Sequence, residues 1–293
     1  RSRSSARTSM RIGDSATAKI VQLGSSVTVS SINVTASATL NLMSSAYTLK
    51  VLGTGTAGSR PVIATGTLTA SSSSTVEFVG NGATEVEKNT TYYNLLIDPT
   101  ITGTTAYTFT AGTFAINNNF TINPTAGTVQ TLTASMNAAI TVTGLTTIQG
   151  SGAGPATGKL DAVGANNLTT GTLNIATNGT FLAQSSTVTL NTPTASSTLF
   201  TLAASAATFT AGSSTVKMTS DAAETLTSGT FTSGNAFNNL ELSPAVTAGR
   251  AYTFGAGAIA AGGTFTIAPT TGAFLLTVNE GAGGIAVTGT TSI

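Results

Sequence analysis

Tyr92-Tyr93-Asn94-Leu95-Leu96-Ile97-Asp98-Pro99 returns as Phe237-Asn238-Asn239-Leu240-Glu241-Leu242-Ser243-Pro244, 145 residues later (237 − 92). The match extends on the C-terminal side at the same offset. Ala106-Tyr107-Thr108-Phe109 recurs as Ala251-Tyr252-Thr253-Phe254, Phe120-Thr121-Ile122 as Phe265-Thr266-Ile267, and Ile140-Thr141-Val142-Thr143-Gly144 as Ile285-Ala286-Val287-Thr288-Gly289. Toward the N-terminus the offset shortens: Ser74-Thr75-Val76 meets Ser214-Thr215-Val216 at 140 (214 − 74), and Ile32-Asn33-Val34 meets Leu173-Asn174-Ile175 at 141 (173 − 32). A period with small length changes marks a duplicated structural unit whose insertions fall in loops. Carried outward, Ile148 corresponds to Ile293 and position 149 to about Thr8. The expected organisation is two tandem units of about 140 residues, 8–148 and 149–293, in one continuous body. Residues 1–7 stand outside as a basic leader, and the chain stops where a third unit would begin.

Within each unit the short pattern is Thr-apolar-Thr: Thr67-Leu68-Thr69, Thr108-Phe109-Thr110, Thr187-Val188-Thr189, Thr208-Phe209-Thr210 and Thr264-Phe265-Thr266. Alternation at period two predicts strands that bury one face. Gly53-Thr54-Gly55, Asn117-Asn118-Asn119 and Gly150-Ser151-Gly152 supply turns between them. Many short strands separated by tight turns fit a parallel coil or an antiparallel sandwich. The repeat favours the coil, an all-β parallel β-solenoid (β-helix), in which each rung hydrogen-bonds the next and inward aliphatics stack into one core. The alternative is a pair of tandem β-sandwiches divided near 150–158, with Asn81-Gly82 and Asn178-Gly179 as hairpin turns.

Composition agrees with strands and excludes several functions. Charged residues form 7% of the 293, and eleven basic against ten acidic side chains leave a net charge of +1. That field is too weak to steer nucleic acid. Arg1, Arg3, Arg7 and Arg11 crowd the N-terminus. No run approaches the roughly 18 to 20 apolar residues that span a bilayer. The chain has no Cys and no His, which removes disulfides, Ser-His and Cys-His nucleophile pairs and the usual zinc ligands.

Carboxylate chemistry survives that elimination. Glu85 and Glu87 would share one side of a strand, and Glu77 and Asp98, 21 residues apart, could stack on adjacent rungs. Their matches differ, however: Glu77 becomes Lys217, Asp98 becomes Ser243, and Glu241 replaces Leu96. Apolar and turn positions recur while charges do not, so no catalytic, cofactor-binding or metal residue is assigned and no cofactor is expected. Gly53-Thr54-Gly55-Thr56-Ala57-Gly58 spells G-x-G-x-x-G, but Ser59-Arg60-Pro61 follows where a helix should open, so it reads as a turn. Asn-x-Thr sequons at Asn33, Asn89, Asn119, Asn167 and Asn178 are of the number that an Asn- and Thr-rich chain produces by chance.

The Tyr-Asn-Leu-x-Ile-x-Pro segment at 93–99, Tyr-Thr-Phe at 107–109 and Ile-Thr-Val-Thr-Gly at 140–144 resemble bacterial cell-surface repeat proteins. These are large Thr- and Gly-rich adhesins and autotransporter-like passengers with β-helical stalks. The resemblance implies an exported, non-enzymatic fibre or stalk and transfers no functional residue. Uncapped solenoid ends expose strand edges, so the expected partner is a second copy of the chain, head to tail. The competing expectation is a carbohydrate module that binds surface glycans through Tyr92, Tyr93, Tyr107 and Tyr252, although Tyr107 and Tyr252 sit where core packing is expected. Thr-x-Thr arrays also resemble ice-binding solenoids; that reading needs constant rung length, and the strand spacing here is uneven.

Overall fold

The computed structural model describes residues 9–13, 19–42, 46–70, 72–88, 90–151, 156–192, 197–204, 206–270 and 274–293. The leader 1–7, Asp14, Asn89 and Gly152 lie outside them. Every strand pairing among the described residues is parallel. The chain is a parallel β-solenoid, and the tandem-sandwich alternative, which requires antiparallel neighbours, is excluded. The only helical turn described is the 3-10 turn Ser233–Asn235.

Three columns of strands wind in order around one core. The first rises from Lys19–Gln22 through Ala38–Asn41 and Thr67–Thr69 to Thr90–Tyr92 and Phe114–Ile116. The second rises from Val27–Val29 through Thr48–Val51 and Thr75–Phe78 to Asn94–Ile97 and Phe120–Ile122. The third runs in separate segments, among them Thr84–Val86, Thr105–Phe109, Gln130–Met136 and Ala156–Asp161. Ile140–Ile148 and Leu168–Ile175 each turn the corner between the first two columns as one strand. At that corner a Cβ on Gly171 would lie 2.6 Å from the Thr143 carbonyl, so the stacked bend needs a residue without one.

Alternation fixes what points inward. Thr48–Val51, Thr75–Phe78, Asn94–Ile97 and Thr187–Leu190 bury every second residue, and their apolar side chains join one continuous core. Pairs on successive rungs lie from 19 residues apart (Lys19 with Ala38) to 30 (Ile32 with Val62). Loops absorb that variation, so rungs stay in register about 4.8 Å apart. Uneven spacing in sequence is therefore no obstacle to regular outward columns.

Sequence-matched strands do not share a column. Leu95 stacks on Phe120 in the second column, and its match Leu240 stacks on Phe265 in the first. From Phe120 the second column passes through Thr146, Leu173 and Phe200 to residues 225–228, whereas Leu240 descends through Val216 and Val188 to Leu168 and Ile140. The sequence period is not a whole number of coils, so matched strands are displaced by one face.

Candidate functional site

The most concentrated charge lies around Arg60. Glu85 and Glu87 do share one side, and Arg60 reaches both, with Nη1 2.9 Å from Glu85 Oε1 and 3.6 Å from Glu87 Oε2. Glu85 also accepts from the Ala57 amide at 3.0 Å and from Thr110 Oγ1 at 3.0 Å. The Gly53–Gly58 turn thus presents an amide to a carboxylate of its own chain, with no helix following it. Tyr92 donates its hydroxyl to the Glu87 carbonyl at 2.7 Å. Burial pushes the Glu87 carboxyl above the usual range against the pull of Arg60, and burial beside Glu87 pushes the Tyr92 phenol up. Sequence reasoning found the Glu85–Glu87 pair and missed Arg60, which lies one coil below and gives no local signal. The cluster faces packed strands rather than a cleft.

The other acids are dispersed. Glu77 pairs with Lys50 at 2.8 Å, while Asp98, on the neighbouring rung, accepts from Asn123 at 3.4 Å and is pushed up by burial. On the next column Glu241 pairs with Lys217 at 2.8 Å, a hydrogen bond that holds its carboxyl below the usual range. Lys217 is the match of Glu77, so an adjacent-rung ion pair exists in both copies but one rung further along in the second. Glu224 is buried, accepting from Ser220 Oγ at 2.9 Å and the Ser197 amide at 2.8 Å, and its carboxyl is raised by burial. Among the described residues no three acidic side chains gather where a metal ion could sit.

Of the four tyrosines named as glycan platforms, Tyr92, Tyr107 and Tyr252 are fully buried. Tyr107 donates to the Gly80 carbonyl at 2.7 Å, and Tyr252 donates to the Ser220 carbonyl, its sequence match. They are core residues whose hydroxyls satisfy a loop carbonyl. Tyr93 remains partly exposed.

The outward surface is a set of hydroxyl columns. Thr69, Thr91, Ala115, Thr141, Thr169 and Thr189 stack on successive rungs of the first column, which then continues into Lys217 and Glu241. Ala115 and the ion pair break the threonine rank. Asn94 ties rungs at the corner, its Oδ1 accepting from the Asn119 amide, as that of its match Asn239 does from Thr264.

Both ends of the coil carry exposed apolar side chains. Lys19–Gln22 is exposed throughout, with Ile20 at 71%. At the other end Leu275 is 72% and Ile293 94% exposed, whereas Ile148, the match of Ile293, is fully buried. No described helix is long and apolar enough to cross a membrane. The fold and site define a β-solenoid with a continuous apolar core, a hydroxyl coat and open strand edges at its ends. Comparison with protein-family models, curated proteins and solved structures finds no match, so the functional reading rests on these residues.

Proposed function

We propose that the chain is a non-enzymatic structural segment of an extracellular bacterial fibre or adhesin stalk that adds head to tail to copies of itself through its end rungs. The observation that carries this reading is the contrast between matched residues: Ile148 is buried under the next rungs, and Ile293 stands in solvent with the same strand chemistry around it. An edge of unpaired backbone groups flanked by exposed Leu275 and Phe274 gains both ladder hydrogen bonds and apolar burial by accepting another rung. A coat of Thr, Ser and Asn with few charges suits a stalk at the cell surface, because like-charge repulsion between successive copies stays small. Negative-stain microscopy and light scattering of the purified chain test the proposal. Rods that lengthen with concentration are the expected result; a monomer at all concentrations overturns it.

A further inference from the structure

The strand Ser9–Ile12 sits in a position that belongs to the end of a unit. Met10 pairs with Ile32 and Ile12 with Val34, just as Thr146 pairs with Leu173 and Ile148 with Ile175. The Ile12 carbonyl accepts from the Thr35 amide at 3.1 Å, and the Ile148 carbonyl accepts from the matched Ala176 amide at 2.9 Å. The sequences agree: Thr8-Ser9-Met10-Arg11-Ile12-Gly13 aligns with Gly144-Leu145-Thr146-Thr147-Ile148-Gln149 in register, and Ile148 matches Ile293. Beneath Val34, Ile12 therefore fills the place that the C-terminal Ile293 of a preceding copy would fill.

The intrachain junction supplies a template for the rest of that contact. Ile140 and Val142 pair with Leu168 and Thr170, which transfers to Ile285 and Val287 against Val27 and Val29 of the next copy. Leu132 and Ala134 pair with Gly158 and Leu160, which transfers to Leu276 and Val278 against Lys19 and Val21. Those edges are free: among the described residues Lys19–Gln22 and Val27–Val29 each have a strand on one side only. The third edge, under Ser31–Val34, is already taken by Ser9–Ile12.

We propose that Ser9–Ile12 is a placeholder strand, and that head-to-tail addition exchanges it for the Thr291–Ser292 strand and Ile293 of a preceding copy. This inference rests on the head-to-tail reading and adds its register and its gate. Exchange trades one short parallel strand for another, so the ladder bonds gained and lost nearly balance. Met10 packs against the core where Thr146 instead bonds Thr170 Oγ1 at 2.9 Å, and the match of Thr170 is the apolar Val29. The resident strand thus fits its slot better than Thr291 does, which holds the isolated chain closed. Burial of the two free edges drives the exchange.

Cysteine pairs test this in a chain that has none of its own. Neighbouring parallel rungs bring Cα atoms about 4.8 Å apart, within disulfide reach. Ala286→Cys with Thr28→Cys reports docking in the junction register, whatever Ser9–Ile12 does. Ser292→Cys with Asn33→Cys reports exchange, because Asn33 faces Arg11 until the resident strand leaves. The proposal expects covalent ladders from both pairs on mild oxidation. It also expects the Arg11→Cys, Asn33→Cys chain to stay monomeric when oxidised and to assemble on reduction. Ladders from the first pair alone, or assembly of the oxidised locked chain, overturn exchange and leave docking standing. No ladder from either pair overturns both.

Discussion

Two sequence-matched regions solve one packing problem with opposite chemistry. In the first copy Arg60, Glu85, Glu87 and Tyr92 form the buried ionic cluster. The pairing places Thr198, Thr225, Thr227 and Phe237 at the matched positions, since Phe200 stacks on Leu173 as Val62 stacks on Ile32, and Phe237 faces Ala261 as Tyr92 faces Ile116. There the interior is aromatic: Phe200 lies 4.8 Å from Phe231, 5.1 Å from Phe209 and 5.7 Å from Phe237, ring centre to ring centre. The backbone accepts either filling because the ladder, rather than the side chains, sets the spacing of rungs. Side chains determine how each region responds to damage.

The largest expected effect comes from Phe200→Ala. Its ring touches three others and is fully buried, so truncation leaves a cavity that the ladder cannot close, and a loss of about 3 to 5 kcal/mol is expected. The matched Val62→Ala removes less volume and should cost about 2 kcal/mol. Urea unfolding followed by circular dichroism measures both, and equal losses would show that the two regions are packed alike.

Arg60→Met acts on the other side of the comparison. It strands two buried carboxylates, and breaking such a pair costs about 3 kcal/mol. Without Arg60 the Glu87 carboxyl rises further, since Arg60 is the strongest of the influences that lower it. A raised carboxyl favours the folded state when protonated, so the variant should lose least below the ordinary value of 4.5 and progressively more as the pH rises above it. Arg60→Thr, Glu85→Thr and Glu87→Thr together install the residues of the second copy and should recover stability to within about 1 kcal/mol of the parent. If the triple variant is no better than Arg60→Met, the ionic cluster is more than an exchangeable filling.

Much of this was legible in the sequence, for physical reasons. Inward positions were readable because burial imposes period two, and the repeat because matched strands keep matched partners. The coil was correctly preferred over the sandwich. The displacement of matched strands by one face was not readable, since a period in residues carries no count of turns when loops vary in length. Arg60 was missed because its partners lie 25 and 27 residues away (85 − 60, 87 − 60). The likeness of residues 8–13 to 144–149 was present in the text, but counting outward from the repeat placed Thr8 at the start of a unit. Only the pairing under Val34 shows which strand it resembles.

The smallest expected effect is confined to one loop and separates the copies by acidity. Asn81 donates to Thr102 Oγ1 at 2.9 Å and accepts from Thr105 Oγ1 at 3.0 Å. In the matched place Asp221 accepts from the Thr247 amide at 3.1 Å and from Arg250 Nε at 2.9 Å, so an amide and a threonine have become a carboxylate and an arginine. Arg250 and Thr247 hold the Asp221 carboxyl down from 3.8 to about 2. A lowered carboxyl contributes stability above its ordinary value and loses it as the pH falls toward the lowered one. Glu224 and Tyr252 also face this loop; Glu224 is raised, so its protonation lies above this window and acts in the opposite sense. Between pH 4 and 2 the amides of residues 247–254 should therefore exchange faster with solvent, while those of 102–109 keep their protection. Asp221→Asn should abolish that difference, measured by hydrogen exchange at both acidities. Equal acceleration in the two segments would place the acid response in the shared ladder instead of in the charge that distinguishes them.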